Sequence, residues 1–150
     1  MMKNIEPIDK AEYEKIILIW EESVKATHHF LTDEDIAKIK LDVIKYLPCL
    51  KIYACKDSKA KILGFIGIFE KKIEMLFVSP KYIGKGVGGA LANFAINSIG
   101  AREVDVNEQN YKARKFYEHI GFRVYSRSSK DAQGRAFPLL HMKISNVSCM

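Results

Sequence analysis

Residues 74–89, Glu-Met-Leu-Phe-Val-Ser-Pro-Lys-Tyr-Ile-Gly-Lys-Gly-Val-Gly-Gly, form an apolar run and a turn, then glycines at 84, 86, 88 and 89 that open a helical pattern. Glycine lets a chain bend tightly and turn consecutive N–H groups toward an anion, and a helix N-terminus adds unpaired donors and the positive end of its dipole. The chemistry this suits is phosphate binding; an ordinary strand-to-helix turn seldom needs four glycines. Gly84-x-Gly86-x-x-Gly89 also matches the dinucleotide fingerprint, and Asp105 lies near the spacing of a ribose-binding carboxylate. A dinucleotide domain, however, places this loop after its first strand. Here 73 residues precede Glu74 and 45 follow Asp105, too few for a second βαβ half. The P-loop pattern fails as well, because Ala90 and Leu91 stand where Lys and Ser or Thr are needed.

A second segment narrows the choice. In Asn107-Glu-Gln-Asn110-Tyr-Lys-Ala113-Arg-Lys-Phe116-Tyr117-Glu-His-Ile-Gly121-Phe122, Asn110 has the chemistry of a helix N-cap. Ala113, Phe116, Tyr117 and Ile120 recur at helical spacing, and Gly121 suits a left-handed stop. Joined in this order to the glycine run, the segment resembles the GCN5-related N-acetyltransferase (GNAT) superfamily, strongly from Lys61 to Phe122 and more loosely before. Within it, Ala26-Thr-His28-His-Phe30-Leu31 and Pro138-Leu-Leu140 look like the bacterial YjaB-type branch.

The resemblance implies an α/β (α+β) architecture: one GNAT domain over 1–150, with a mixed, mostly antiparallel twisted sheet of about six to seven strands, helices on both faces and splayed central strands. Between the parted strands it implies a site for acetyl-CoA as co-substrate, with no metal. The amides of Leu76 and Val78 would pair with the pantetheine arm as a pseudo-strand, and a backbone N–H near Phe77 would polarise the thioester carbonyl. The pyrophosphate would rest on Gly84, Lys85, Gly86, Val87, Gly88 and Gly89. Ile83 replaces the family's usual Arg or Gln at the start of this loop, which leaves the backbone cradle intact. Asn110 matches the residue that hydrogen-bonds the pantetheine arm, and Ala113, Phe116 and Tyr117 line the same arm. Tyr117 also matches the family's proton donor to the departing thiolate.

For the base, the resemblance points to Glu74, a strand-end carboxylate whose apolar neighbours Met75 and Leu76 would raise its pKa. Solvent exposure at a strand end is the competing reading. His28, His29, Phe30 and His141 fall where this fold lines the acceptor cleft, and a neutral imidazole could take an ammonium proton near pH 7.

The elements that must position these groups follow from periodicity and punctuation. Residues 3–8 suit a short strand, and Tyr13, Ile16, Ile17, Trp20 and Val24 share one helical face. Thr32-Asp-Glu-Asp35 reads as a capping box with Asp for Glu, opening a helix through Val43 to Pro48. Residues 50–56 and 62–69 flank a polar turn as a hairpin, 72–78 adds a strand, and the helix after the glycines ends at Gly100. Residues 103–107, 122–127 and 137–144 supply the last strands, with Gln133-Gly134 turning between the final two.

At 150 residues, 48% hydrophobic and 28% charged, the composition is that of one globular domain. The N-terminus lacks an apolar signal region and Ile16–Trp20 is too short to span a bilayer, so a cytoplasmic, membrane-free protein is expected. Three cysteines without Cys-x-x-Cys argue against a disulfide framework: Cys49 and Cys55 are expected to pack as small apolar residues, and Cys149 sits in a tail. Four scattered histidines give no metal spacing. The net charge of +6 suits a polyanionic ligand, while no basic run interleaved with aromatics marks a nucleic-acid surface.

The resulting expectation is an N-acetyltransferase that moves an acetyl group to a primary amine by direct attack in a ternary complex, since no cysteine lies in either motif. The acceptor is a small-molecule or peptide amine, and the chain a monomer or homodimer. Two alternatives stay open: a non-catalytic acyl-CoA-binding or sensing module, and transfer to protein lysine or aminoacyl-tRNA.

Overall fold

The computed structural model describes residues 4–145. Seven strands run β1 Asn4–Pro7, β2 Lys51–Lys56, β3 Ile62–Phe69, β4 Lys72–Val78, β5 Glu103–Asn107, β6 Arg123–Ser128 and β7 Leu139–Lys143. The helices are α1 Tyr13–Thr27, α2 Asp33–Tyr46, α3 Val87–Phe94 and α4 Tyr111–Ile120. The sheet order is β1-β2-β3-β4-β5-β7-β6, and every neighbour is antiparallel except the β4–β5 pair. Lys3 and Cys149, which the sequence reading placed in a strand and a tail, lie outside the described residues.

Each helix forms where an apolar stripe meets a good start and stop. On α1, Ile16, Ile19, Trp20 and Val24 are buried at helical spacing, each contributing about 1.5–3 kcal/mol by leaving water. Thr32 and Asp35 make the reciprocal cap of α2, Thr32 Oγ1 accepting from the Asp35 N–H and Asp35 Oδ2 from the Thr32 N–H, both at 3.0 Å. These two helices cover the β2–β4 half of one face over Phe65, Ile52 and Ala54; α3 and α4 cover the opposite face over Leu63, Ile66, Val104 and Val106.

Some boundaries differ from the sequence reading for local reasons. β2 begins at Lys51 because Leu47-Pro48-Cys49 make a tight turn closed by the Leu50 N–H on the Leu47 carbonyl. Cys49 is exposed there; only Cys55 packs as a small apolar residue. β6 begins after Phe122, whose ring is fully buried. The helix before Gly100 is not uniform: α3 widens over Ala95–Ile99 into a π-type turn before Gly100 stops it at φ +89°. No helix of the described residues is long and apolar enough to cross a membrane.

One irregularity shapes the centre of the sheet. Ile68 pairs with Ile73 and Gly67 with Met75, so Glu74 is an extra residue on β4 opposite β3. Such a bulge bends and twists its strand. Parallel pairing of β4 with β5 stops at that point, after Lys72↔Glu103 and Ile73↔Val104. Beyond it β4 stays with β3 to Val78, and β5 stays with β7 to Asn107. The two central strands therefore part, as expected, and the bulge is why.

Candidate active site

The gap between β4 and β5 opens into two adjoining cavities of about 510 and 470 Å³. The larger lies between the end of α1, β4, β5 and the start of α4, and its polar lining includes His28, Glu74, Asp105 and Asn110. The smaller runs along Tyr82–Gly89 and the α4 face at Ala113 and Phe116. Leu76, Val78, Ile83, Ala113 and Tyr117 line both, so the two form one passage.

Strand alternation decides which backbone groups face this passage. The Ser79 N–H donates to the Leu63 carbonyl at 2.9 Å, and Phe77, two residues earlier, shares that side. The Phe77 N–H is thus turned to β3, and its ring packs with Trp20, Phe65 and His28. The carbonyl-polarising N–H expected near Phe77 is therefore not that of Phe77 itself. The groups directed into the gap are those of Leu76 and Val78.

At the glycine run, Gly84 and Gly86 hold φ of +82° and +84°, conformations a side chain would strain, and Gly86 caps α3. The first bond inside α3 runs from the Ala90 N–H to the Gly86 carbonyl; the N–H groups before it lack i−4 partners, as at any helix start. Gly88 lies where a Cβ would meet Val78 and the Phe116 ring at 3.6–3.7 Å, and Gly89 faces open space. The Val87 side chain is buried in the core and lines neither cavity, nor does Lys85. A strand edge with two outward amides, leading to a glycine-built N-terminus, fits a pantetheine arm followed by a diphosphate.

Tyr117 is nearly buried, edge-on to Phe116 and Phe122. Burial pushes its hydroxyl above the usual phenol value, so it stays protonated at neutral pH. Glu74, projected by the bulge, has its carboxyl raised above the usual carboxylate value by burial. The Lys72 ammonium, 3.9 Å away, opposes that rise, and the Asp105 charge adds to it. A carboxylate with a raised pKa beside a cavity is a stronger proton acceptor than an ordinary glutamate.

Around Glu74 lies a cluster that the sequence reading had not assembled. Lys72 Nζ donates to Asp105 Oδ2 at 2.6 Å, and Asp105 Oδ1 is 2.7 Å from His141 Nδ1. His141 Nε2 is 2.6 Å from Ser128 Oγ. His141 is therefore a partner of Asp105 rather than a cavity-lining residue, and Asp105 is the cavity residue in its place. Alternation along β5 and β7 places Asp105 and His141 on one face, but only the β5–β7 register, with Asp105 opposite His141, makes them neighbours.

His28 and His29 both line the larger cavity; Phe30 instead packs between His28 and Phe137. Burial, with a smaller contribution from His29, pushes the His28 pKa down to about 4. Its Nε2 is 3.2 Å from the Asn110 carboxamide. A lowered pKa and the contact with Asn110 both disfavour His28 as the acceptor of an ammonium proton. Asn110 caps α4 as expected, Oδ1 accepting from the Ala113 N–H at 3.1 Å.

Comparison with known proteins identifies the family and the fold. The acetyltransferase (GNAT) domain family matches residues 48–145. Peptidyl-lysine N-acetyltransferase YjaB of Salmonella typhimurium is 34% identical over 142 residues, 95% of this chain and 98% of the relative. The solution structure of apo YjaB from Escherichia coli superposes with a TM-score of 0.88 at 32% identity, covering 98% of this chain and 100% of that one. The fold is shared by PaiA N-acetyltransferase from Thermoplasma acidophilum, solved in complex with coenzyme A, with a TM-score of 0.68 at 21% identity over 97% of this chain and 100% of that one.

Proposed function

The chain belongs to the GNAT acetyltransferase family, and from that premise we propose that it transfers the acetyl group of acetyl-CoA to the side-chain amine of a peptidyl lysine. The observation that carries this reading is the parting of β4 and β5 at the Glu74 bulge, with Glu74 and Tyr117 lining the passage it opens. The acceptor class rests on the names of the YjaB relatives and on a cavity whose inner lining includes two carboxylates, Glu74 and Asp105, chemistry that suits an ammonium-bearing chain.

Acetyl-CoA supplies an activated thioester carbonyl and a thiolate leaving group. Gap-facing Leu76 and Val78 would hold the pantetheine amides and supply an N–H to the carbonyl as negative charge develops on its oxygen. The N–H groups of Gly84, Gly86, Val87, Gly88 and Gly89 would hold the diphosphate, while that of Lys85 donates to the Tyr82 carbonyl. Glu74 takes a proton from the acceptor ammonium, directly or through a water, leaving the amine lone pair free to attack. Tyr117, kept protonated by its raised pKa, donates a hydrogen bond to the departing sulfur in the transition state and keeps its own proton; the second proton, lost from the attacking nitrogen as the amide forms, ends on the thiolate as the free thiol. One lysine ammonium and one thioester yield one amide, one thiol and one released proton. The reading places this chemistry in one domain over 1–150, acting as monomer or homodimer.

The test is thiol release from acetyl-CoA with lysine-containing peptides, with acetyl-lysine read by mass. Acetylated peptide at a rate that depends on both substrates supports the reading. Tight coenzyme A binding with no peptide or small amine ever consumed would replace it with a sensing role.

A further inference from the structure

His28 and Asn110 lie 82 residues apart in sequence, on the end of α1 and the start of α4, and their contact bridges the two walls of the larger cavity. The hydrogen bonds around them leave one consistent assignment of donors. The Thr27 hydroxyl donates to the Ser23 carbonyl at 2.8 Å, so its oxygen is open as an acceptor to His28 Nδ1, also at 2.8 Å. At the other end, Asn110 Oδ1 accepts from the Ala113 N–H, which turns the NH₂ of its carboxamide to His28 Nε2. An NH₂ only donates, so Nε2 must carry a lone pair and Nδ1 the hydrogen. The two ends agree on one neutral tautomer, and the lowered pKa of the ring keeps it neutral at pH 7. The ring is held in place by Phe30 and Phe77, at centroid distances of 5.5 and 6.1 Å.

Resting on the acetyl-CoA reading above, we infer that His28 is a positioning residue: its Nε2 lone pair locks the Asn110 carboxamide so that the second N–H of Nδ2 is directed into the passage, to a carbonyl of the pantetheine arm. The N-cap alone does not fix this. A cap needs only Oδ1, and Asn110 could satisfy it while its NH₂ swings with the side chain. His28 removes that freedom, and does so from the acceptor side of the cavity, so the cofactor-binding wall is set by a residue of the substrate-binding wall.

Two measurements test the inference. Imidazole ¹⁵N NMR of the wild-type protein at pH 7 should show His28 with a protonated Nδ1 and a bare Nε2; a protonated Nε2 would place two donors face to face and overturn the assignment. Coenzyme A affinity by calorimetry supplies the second. His28→Leu should raise Kd about tenfold, the equivalent of one net hydrogen bond, and His28→Gln, whose amide oxygen can stand where Nε2 does, should recover most of that loss. Asn110→Ala should weaken binding at least as much, and adding His28→Leu to it should cost nothing more. Additive losses, or unchanged affinity in His28→Leu, would refute the positioning role while leaving the acetyl-CoA site intact. Failure of the wild type to bind coenzyme A would instead defeat the proposed function itself.

Discussion

If Glu74 is the base, the acid limb of kcat must follow its charge environment, and that environment holds two charges of opposite sign. Turnover is present above the Glu74 pKa and lost as pH falls through it, because only the carboxylate accepts a proton. Burial and Asp105 raise that pKa while Lys72 lowers it, so the limb lies above the ordinary glutamate value. Lys72 Nζ is 3.9 Å from the Glu74 carboxylate, with both side chains 34% exposed. Unit charges at that distance interact by about 1 kcal/mol in a water-like dielectric and about 4 kcal/mol at an effective dielectric near 20. With a third of each group exposed the lower figure governs, equivalent to roughly 0.5–1 pH unit. Lys72→Met should therefore move the limb up by about that amount, and Asp105→Asn should move it down, both because a repelling charge is gone and because Lys72 is freed for Glu74. The assay is kcat against pH at saturating acetyl-CoA and lysine peptide. Glu74→Gln, measured alongside, should lose the limb and about a hundredfold or more in kcat. Shifts of the same sign in the two charge variants, or a limb that survives in Glu74→Gln, would refute the assignment.

Other outcomes follow from the same geometry. Tyr117→Phe preserves the packed ring and deletes the hydroxyl, so kcat should fall more than about tenfold with coenzyme A affinity nearly unchanged, as steady-state kinetics and calorimetry would show. Gly86→Asp forces a side chain onto a residue at φ +84° and sets an anion in the cradle, so it should abolish coenzyme A binding in a protein that remains folded by circular dichroism. At Gly64 a Cβ would sit 2.9 Å from the Phe77 carbonyl oxygen and 3.0 Å from Val87 Cγ1; Gly64→Ala should therefore destabilise the fold by about 1–3 kcal/mol in urea titration.

Much of the architecture was legible because it is locally encoded. The capping pair Thr32 and Asp35, the apolar positions Ile16, Trp20 and Val24, and the stops at Gly100 and Gly121 each act within a few residues, so pattern located the helices, although it placed Ile17 rather than the buried Ile19 on the inner face of α1. The glycine run and the segment from Asn110 to Tyr117 were readable for the same reason: backbone freedom, a cap and a ring on a helical face are properties of short stretches. The widening at Ala95–Ile99 carried no such local signature, and neither did the exposure of Cys49.

The arrangement of the site was decided elsewhere. Nothing in Lys72–Val78 announces that Glu74 is an extra residue; the bulge exists only against β3, where Gly67 pairs with Met75. Beyond that slip the backbone groups of Leu76 and Val78 face the gap and those of Phe77 face β3. The Lys72–Asp105–His141–Ser128 cluster draws on four strands, and the His28–Asn110 bridge joins two helix ends. Residue types and short-range spacing thus determined which elements form and which groups are available for acetyl transfer. Which groups meet depended on strand register and on how α1 and α4 pack across the sheet, because hydrogen bonds and charges act over a few ångströms of space whatever their separation along the chain.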